Sequence, residues 1–78
     1  MINVDVIETL GFKSTEVTTI WTLDLSGYHY QLTLCTNDTW FLHIDDSKFM
    51  SIGAVEVFSC ENVIGIIRAY SGIHNEEV

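Results

Sequence analysis

No proline stands anywhere in these 78 residues, and only Lys13, Lys48 and Arg68 carry a fixed positive charge. The scarcity of cations argues against direct nucleic-acid binding, because affinity for phosphates depends on counterions displaced by many Lys and Arg contacts. The lack of proline removes one device that blunts sheet edges, so an open edge invites pairing with another chain. Two cysteines, Cys35 and Cys60, allow at most one bridge, whereas small secreted scaffolds are usually stapled by several. They read as reduced thiols in a cytoplasm. No apolar run approaches the ~20 residues that cross a bilayer, and no basic, apolar, then small-residue leader opens the chain. An unprocessed protein with no membrane contact is expected.

What the chain does have is eleven carboxylates, a net charge of −8 and a 47% hydrophobic composition. The apolar content excludes intrinsic disorder, which pairs high charge with few apolar residues. One domain, 1–78, is expected, burying roughly 60 to 65% of the surface its unfolded chain exposes. A folded body of this composition wears a negative coat. Such a coat repels nucleic-acid backbones and anionic membranes, and it draws basic protein surfaces over roughly 8 to 10 Å at physiological salt.

Hydrophobic periodicity divides the chain into elements. Asn3 is a candidate N-cap for a short helix carrying Val6, Ile7 and Leu10 on one side, with Asp5 favoured in its first turn by the helix dipole. Leu10-Gly11-Phe12 then matches a Schellman stop. From Val17 the period changes to two, with Val17, Trp21, Leu23 and Leu25 on one parity. After Ser26-Gly27 the alternation resumes in the opposite parity through Tyr28, Tyr30, Leu32 and Leu34. A two-residue turn therefore pairs Leu25 with Tyr28, Leu23 with Tyr30, Trp21 with Leu32 and Thr19 with Leu34. A third strand, Trp40, Leu42 and Ile44 alternating with Phe41 and His43, follows a three-residue loop, and a fourth is expected over 54–58. Ser59 caps a second helix whose stripe is Val63, Ile66, Ile67 and Tyr70, ending at Gly72 before a loosely held tail at 73–78. The expected fold class is α+β: an antiparallel meander of three to four strands with an N-terminal and a C-terminal helix packed on one face.

No spacing reaches a catalytic or metal signature, and no catalytic residue, metal ligand or cofactor is assigned. Asp24 faces His29 across the first hairpin, with Gln31, Thr33, His43 and Asp45 on the same outward side. A histidine beside carboxylates has the makings of a general base, but a flat sheet lacks the pocket that excludes water, so an enzyme is not expected. Cys60 would gain thiolate character at a helix start if exposed, although a lone thiol more often packs as a small hydrophobe. Phe41 breaks the polar character of the outward face as interface anchors do, unless another segment covers it. The candidate partner-binding residues are Asp38, Phe41, His43, Asp45, Asp46 and Glu56. The candidate self-association residues are Ile64, which widens the last helix's apolar face, and Val57 on the edge of the fourth strand.

The layout of Leu10-Gly11-Phe12 after a short helix, the Tyr-rich hairpin, Thr39-Trp40-Phe41-Leu42-His43-Ile44 and the terminal amphipathic helix resembles small acidic anti-defence proteins of bacteriophages and prophages, of the anti-CRISPR type. The resemblance implies an inhibitor in the bacterial host cytoplasm. Its partner would be a CRISPR effector or other defence nuclease, bound over its nucleic-acid channel or locked in shape, in some cases by a homodimer. Two other readings stay open: a self-associating structural or regulatory module, and an immunity protein that neutralises a basic toxin.

Overall fold

Asn3 caps the first helix, α1 (Val4–Thr9), its side-chain oxygen accepting from the backbone N–H of Asp5 at 2.9 Å and of Val6 at 3.4 Å. The computed structural model describes residues 2–48 and 50–76, with side chains through Tyr70. Gly11, at φ +112°, ends α1 in the left-handed region, and the Phe12 N–H reaches back to the Ile7 carbonyl at 3.3 Å. That closes the expected Schellman stop and drives Phe12 into the core, where it is 2% exposed. Of the three residues expected on the apolar side of α1, only Ile7 is buried. Ile7 is fully buried, while Val6 and Leu10 remain well exposed, because the helix rests on the sheet through Ile7 and the residues that flank it, Ile2, Val4 and Phe12.

The sheet is a five-stranded antiparallel meander in the order β1 (Lys13–Ser14), β2 (Ile20–Leu25), β3 (Tyr28–Leu34), β4 (Trp40–Asp45) and β5 (Ser51–Val57). The two-residue β1 is the strand that periodicity does not reveal. Val17, expected within a strand, sits instead in the turn between β1 and β2. The Thr15 hydroxyl holds that turn, donating to the carbonyls of Val17 and Ile20 and accepting the Val17 N–H. Between β2 and β3, Ser26 (φ 54°) and Gly27 (φ 82°) make the two-residue turn with both residues left-handed. The register is the expected one: Leu25 opposite Tyr28, Leu23 opposite Tyr30 and Trp21 opposite Leu32, extended by the Leu34 N–H on the Thr19 carbonyl at 2.9 Å.

The β3–β4 loop is closed by the Cys35 N–H on the Thr39 carbonyl at 2.8 Å, with Asp38 left-handed at φ 61°. β5 runs earlier than expected, over Ser51–Val57, and leaves Phe58 outside; a bulge near Ile44 and Asp45 absorbs the mismatch with β4. Ser59 caps α2 (Cys60–Glu76) as expected, its hydroxyl accepting the Asn62 N–H at 3.1 Å. Gly72 does not end this helix. A mid-helix glycine costs only about 1 kcal/mol, and no proline follows, so α2 continues into the expected tail as far as Glu76; Glu77 and Val78 lie outside the described residues.

Both helices cover one face of the sheet. The core comprises Trp21, Tyr30, Leu32, Leu42, Ile44 and Val57 from the strands, Ile2, Ile7 and Phe12 from the first segment, and Val63 and Ile67 from α2. Trp21 and Trp40 meet with ring centroids 5.4 Å apart, and Tyr28 meets Tyr70 of α2 at 5.5 Å. Ile66 and Tyr70 complete the expected α2 stripe as half-buried residues. Among the described residues, no helix is long and apolar enough to cross a membrane.

Candidate interaction face

Alternation along β2 to β5 sends every second side chain to the face that neither helix covers, and the register arranges them in rows. One row runs Lys13, Thr22, Gln31, His43 and Ala54. A second runs Ile20, Thr33, Phe41 and Glu56. The third is Asp24, His29 and Asp45. Thr22, Gln31, Thr33, Phe41 and His43 are half-buried by their neighbours within the sheet. Phe41 thus lies between a threonine and a glutamate with no helix over it, an aromatic surface set among polar groups.

Of the six expected partner-binding residues, Phe41, His43, Asp45 and Glu56 share this face on adjoining strands. Asp38 and Asp46 do not join them. They stand beyond opposite ends of β4, a strand about 20 Å long at ~3.4 Å per residue. Asp46 also has a different task from the one expected. Its Oδ1 accepts the backbone N–H of Lys48 at 2.8 Å and of Met50 at 3.0 Å, and its own N–H donates to the Met50 carbonyl at 3.0 Å. The carboxylate organises the β4–β5 loop, so it is not a free surface charge. Val57 requires a correction as well: it is 2% exposed and packs in the core, leaving only its backbone for contact at the sheet edge. Ile64 is half-buried beside Leu10, Leu23, Leu25 and Arg68 in an apolar groove of about 210 Å³.

The expected Asp24–His29 pair forms. His29 Nδ1 lies 2.6 Å from Asp24 Oδ1, with the Asp24 side chain 80% exposed and the imidazole 23%. A groove of about 320 Å³ opens beside it, lined by Leu25, Ser26, Gly27, Tyr28, Asp46 and Ser47 along with the pair. Exposure of this kind makes the pair a weak contributor to stability. Among the described residues no group of three His, Cys, Asp or Glu side chains is placed to hold a metal ion. Both cysteines are free thiols. Cys60 has a packing role, its Sγ lying 3.3 Å from the Asn3 nitrogen and 3.6 Å from the Asn3 oxygen, which ties the starts of α1 and α2 together.

The carboxylates remain uncompensated by fixed charge: among the described residues, none of Lys13, Lys48 and Arg68 forms an ion pair. Asp24, Asp45 and Asp46 gather where the β2–β3 turn and the β4–β5 loop meet, Asp38 and Glu56 lie toward the other end, and Asp5, Glu8, Glu16 and Glu61 are exposed on the helices and the first turn. Sequence reasoning missed the exposed apolar residues Met50, Ile52 and Val55. Their signal was present in Ile52-Gly53-Ala54-Val55, a stretch without polar alternation. No family model, curated protein or solved structure matches this chain.

Proposed function

We propose that the protein is an acidic inhibitory binding protein that lays the uncovered face of its sheet on the basic, nucleic-acid-binding surface of a bacterial defence nuclease in the host cytoplasm. The observation that carries this reading is the face itself: Phe41 beside Glu56 in the row at one end, Asp24 and Asp45 in the row at the other, His43 in the row between, and, among the described residues, no lysine or arginine paired with these acids. Carboxylates on a rigid sheet substitute for phosphates in a groove that holds nucleic acid, steering the encounter electrostatically, while a half-buried aromatic supplies short-range adhesion. An immunity protein against a basic toxin would use the same surface and differ only in its partner.

The test is inhibition of purified CRISPR effectors and other defence nucleases, with guide or target nucleic acid as competitor. Binding should weaken as salt rises from ~50 to ~200 mM, Asp45→Lys should slow association, and Phe41→Ala should speed dissociation. Binding that ignores salt and Asp45→Lys would remove charge as the basis of recognition. Failure to inhibit any nuclease in the panel would remove the proposed class of target.

A further inference from the structure

We propose that two copies of the chain join edge to edge through β5, antiparallel, with Val55 on the two-fold axis. β5 is the last strand of the sheet, so its outer side carries backbone N–H and C=O groups that no strand pairs among the described residues. The opposite edge, β1, is only two residues long, whereas β5 has seven. Four of the large hydrophobic residues left most exposed lie along this edge: Met50 at 65%, Ile52 at 44%, Val55 at 42% and Phe58 at 66%. Beside them an apolar groove of about 360 Å³, lined by Ile44, Gly53, Val55, Ile66 and Tyr70 among others, runs between β5 and α2.

The occupant follows from charge. A second copy, itself at −8, is repelled from most of this surface, but of the eleven acidic residues only Glu56 stands within 50–58. A basic partner finds little counter-charge on the same edge. What fits an apolar, nearly uncharged strand edge is another edge of that kind, and this one complements itself. With Val55 opposite Val55, Ile52 faces Phe58 of the second copy, Gly53 faces Val57 and Ala54 faces Glu56, so exposed apolar residues meet and no carboxylate opposes another. A one-residue slip of the axis to Ala54 would set Glu56 against Ile52, a poorer match.

The contact is small. A seven-residue strand is about 24 Å long, and on a body with a shortest extent of 19 Å it offers about 450 Å² per copy, short of the ~800 Å² of a standard stable interface. The dimer is therefore weak, with dissociation in the micromolar range.

Sedimentation equilibrium of the full chain from ~1 to ~200 μM should show a reversible monomer–dimer equilibrium. Val55→Lys and Ile52→Lys should each raise the dissociation constant at least ~10-fold, because each sets a charge in the apolar seam, while Ile64→Lys should leave it unchanged. In a Cys35→Ser, Cys60→Ser background, Val55→Cys should cross-link on mild oxidation, since residues directly opposite place their Cβ atoms ~4.5 to 5.5 Å apart, and Ile64→Cys should not. A chain that stays monomeric at ~200 μM overturns the proposal. So does a dimer that tolerates Val55→Lys and is broken by Ile64→Lys, which would move the interface to the Leu10, Leu25 and Arg68 groove.

Discussion

Replacing Asp46 tests whether this acid belongs to the negative coat or to the architecture. Its Oδ1 receives two backbone N–H groups, from Lys48 at 2.8 Å and Met50 at 3.0 Å. Asp46→Ala orphans both donors in an exposed loop where water recovers part of the loss, so each bond is worth the low end of its range, and the sum is about 1 to 2 kcal/mol. Asp46→Asn keeps the acceptor oxygen and removes only the charge, for about half that cost. In urea, at ~1 kcal/mol/M for so small a domain, Asp46→Ala should lower the midpoint by roughly 1 to 2 M; in a thermal scan each kcal/mol should lower Tm by about 4 to 8 °C. Trp21 and Trp40, packed together over the core, report the transition by fluorescence. An Asp46→Ala protein within ~0.3 kcal/mol of the parent would show that water replaces the carboxylate without loss. Equal destabilisation by Asn and Ala would show that charge, and not acceptor geometry, holds the loop. The expected result also sets the design of any binding experiment: Asp46 should be neutralised with asparagine and not charge-reversed, so that its acceptor oxygen keeps the loop.

Three further substitutions probe the fold. Leu42→Ala, at a fully buried site on β4 opposite Leu32 and Val55, should cost about 3 to 4 kcal/mol in chemical denaturation because the sheet and α2 cannot collapse into the cavity. Gly65→Ala, on the exposed side of α2 with nothing within 4 Å of the added carbon, should raise stability by about 0.5 to 1 kcal/mol through helix propensity. The same change at Gly11 should act in the opposite sense by about 1 to 2 kcal/mol, since φ is +112° and the new methyl would press on Leu23 Cδ1 at 3.3 Å; a melting temperature that moves the same way for both would refute the assignment of their roles.

Features written as a pattern with two independent readings were legible in the sequence. The change of parity across Ser26-Gly27 and the length of that turn specify one register, and β2 and β3 adopt it residue for residue. The Gly11-Phe12 stop and the Ser59 cap combine a local residue type with a flanking apolar period, and both form. Elements set by tertiary contact alone left no such trace. β1 is two residues that pair only because Lys13 and Ser14 meet Thr22 and Trp21, and the burial of Ile7 without Val6 and Leu10 depends on where α1 lands. The candidate face divides in the same way. Asp24–His29 follows from hairpin register, whereas Asp46 reads as a surface acid because a side chain turned onto its own loop has no sequence period. The edge of the fourth strand was legible as a place for self-association, but Met50, Ile52 and Val55 along it were not, because apolar residues on both faces erase the alternation by which a half-buried strand is recognised.

The two proposed associations can be told apart by the sign of their salt dependence. An antiparallel pairing through β5 has its axis normal to the sheet, so both outward faces of the dimer look the same way, and ten strands at ~4.8 Å present a surface about 48 Å across. The carboxylates of two chains then act on one basic partner, while those same chains, each at −8, repel one another. Screening therefore weakens the hold on a cationic surface and strengthens the copy-to-copy contact, whose apolar seam loses nothing to added ions. Dimer dissociation should fall as NaCl rises from ~50 to ~300 mM, over the interval in which binding to a basic nuclease declines. A dimer that dissociates with salt would require ion pairs across the interface, which a strand edge bearing only Glu56 cannot form with its own copy.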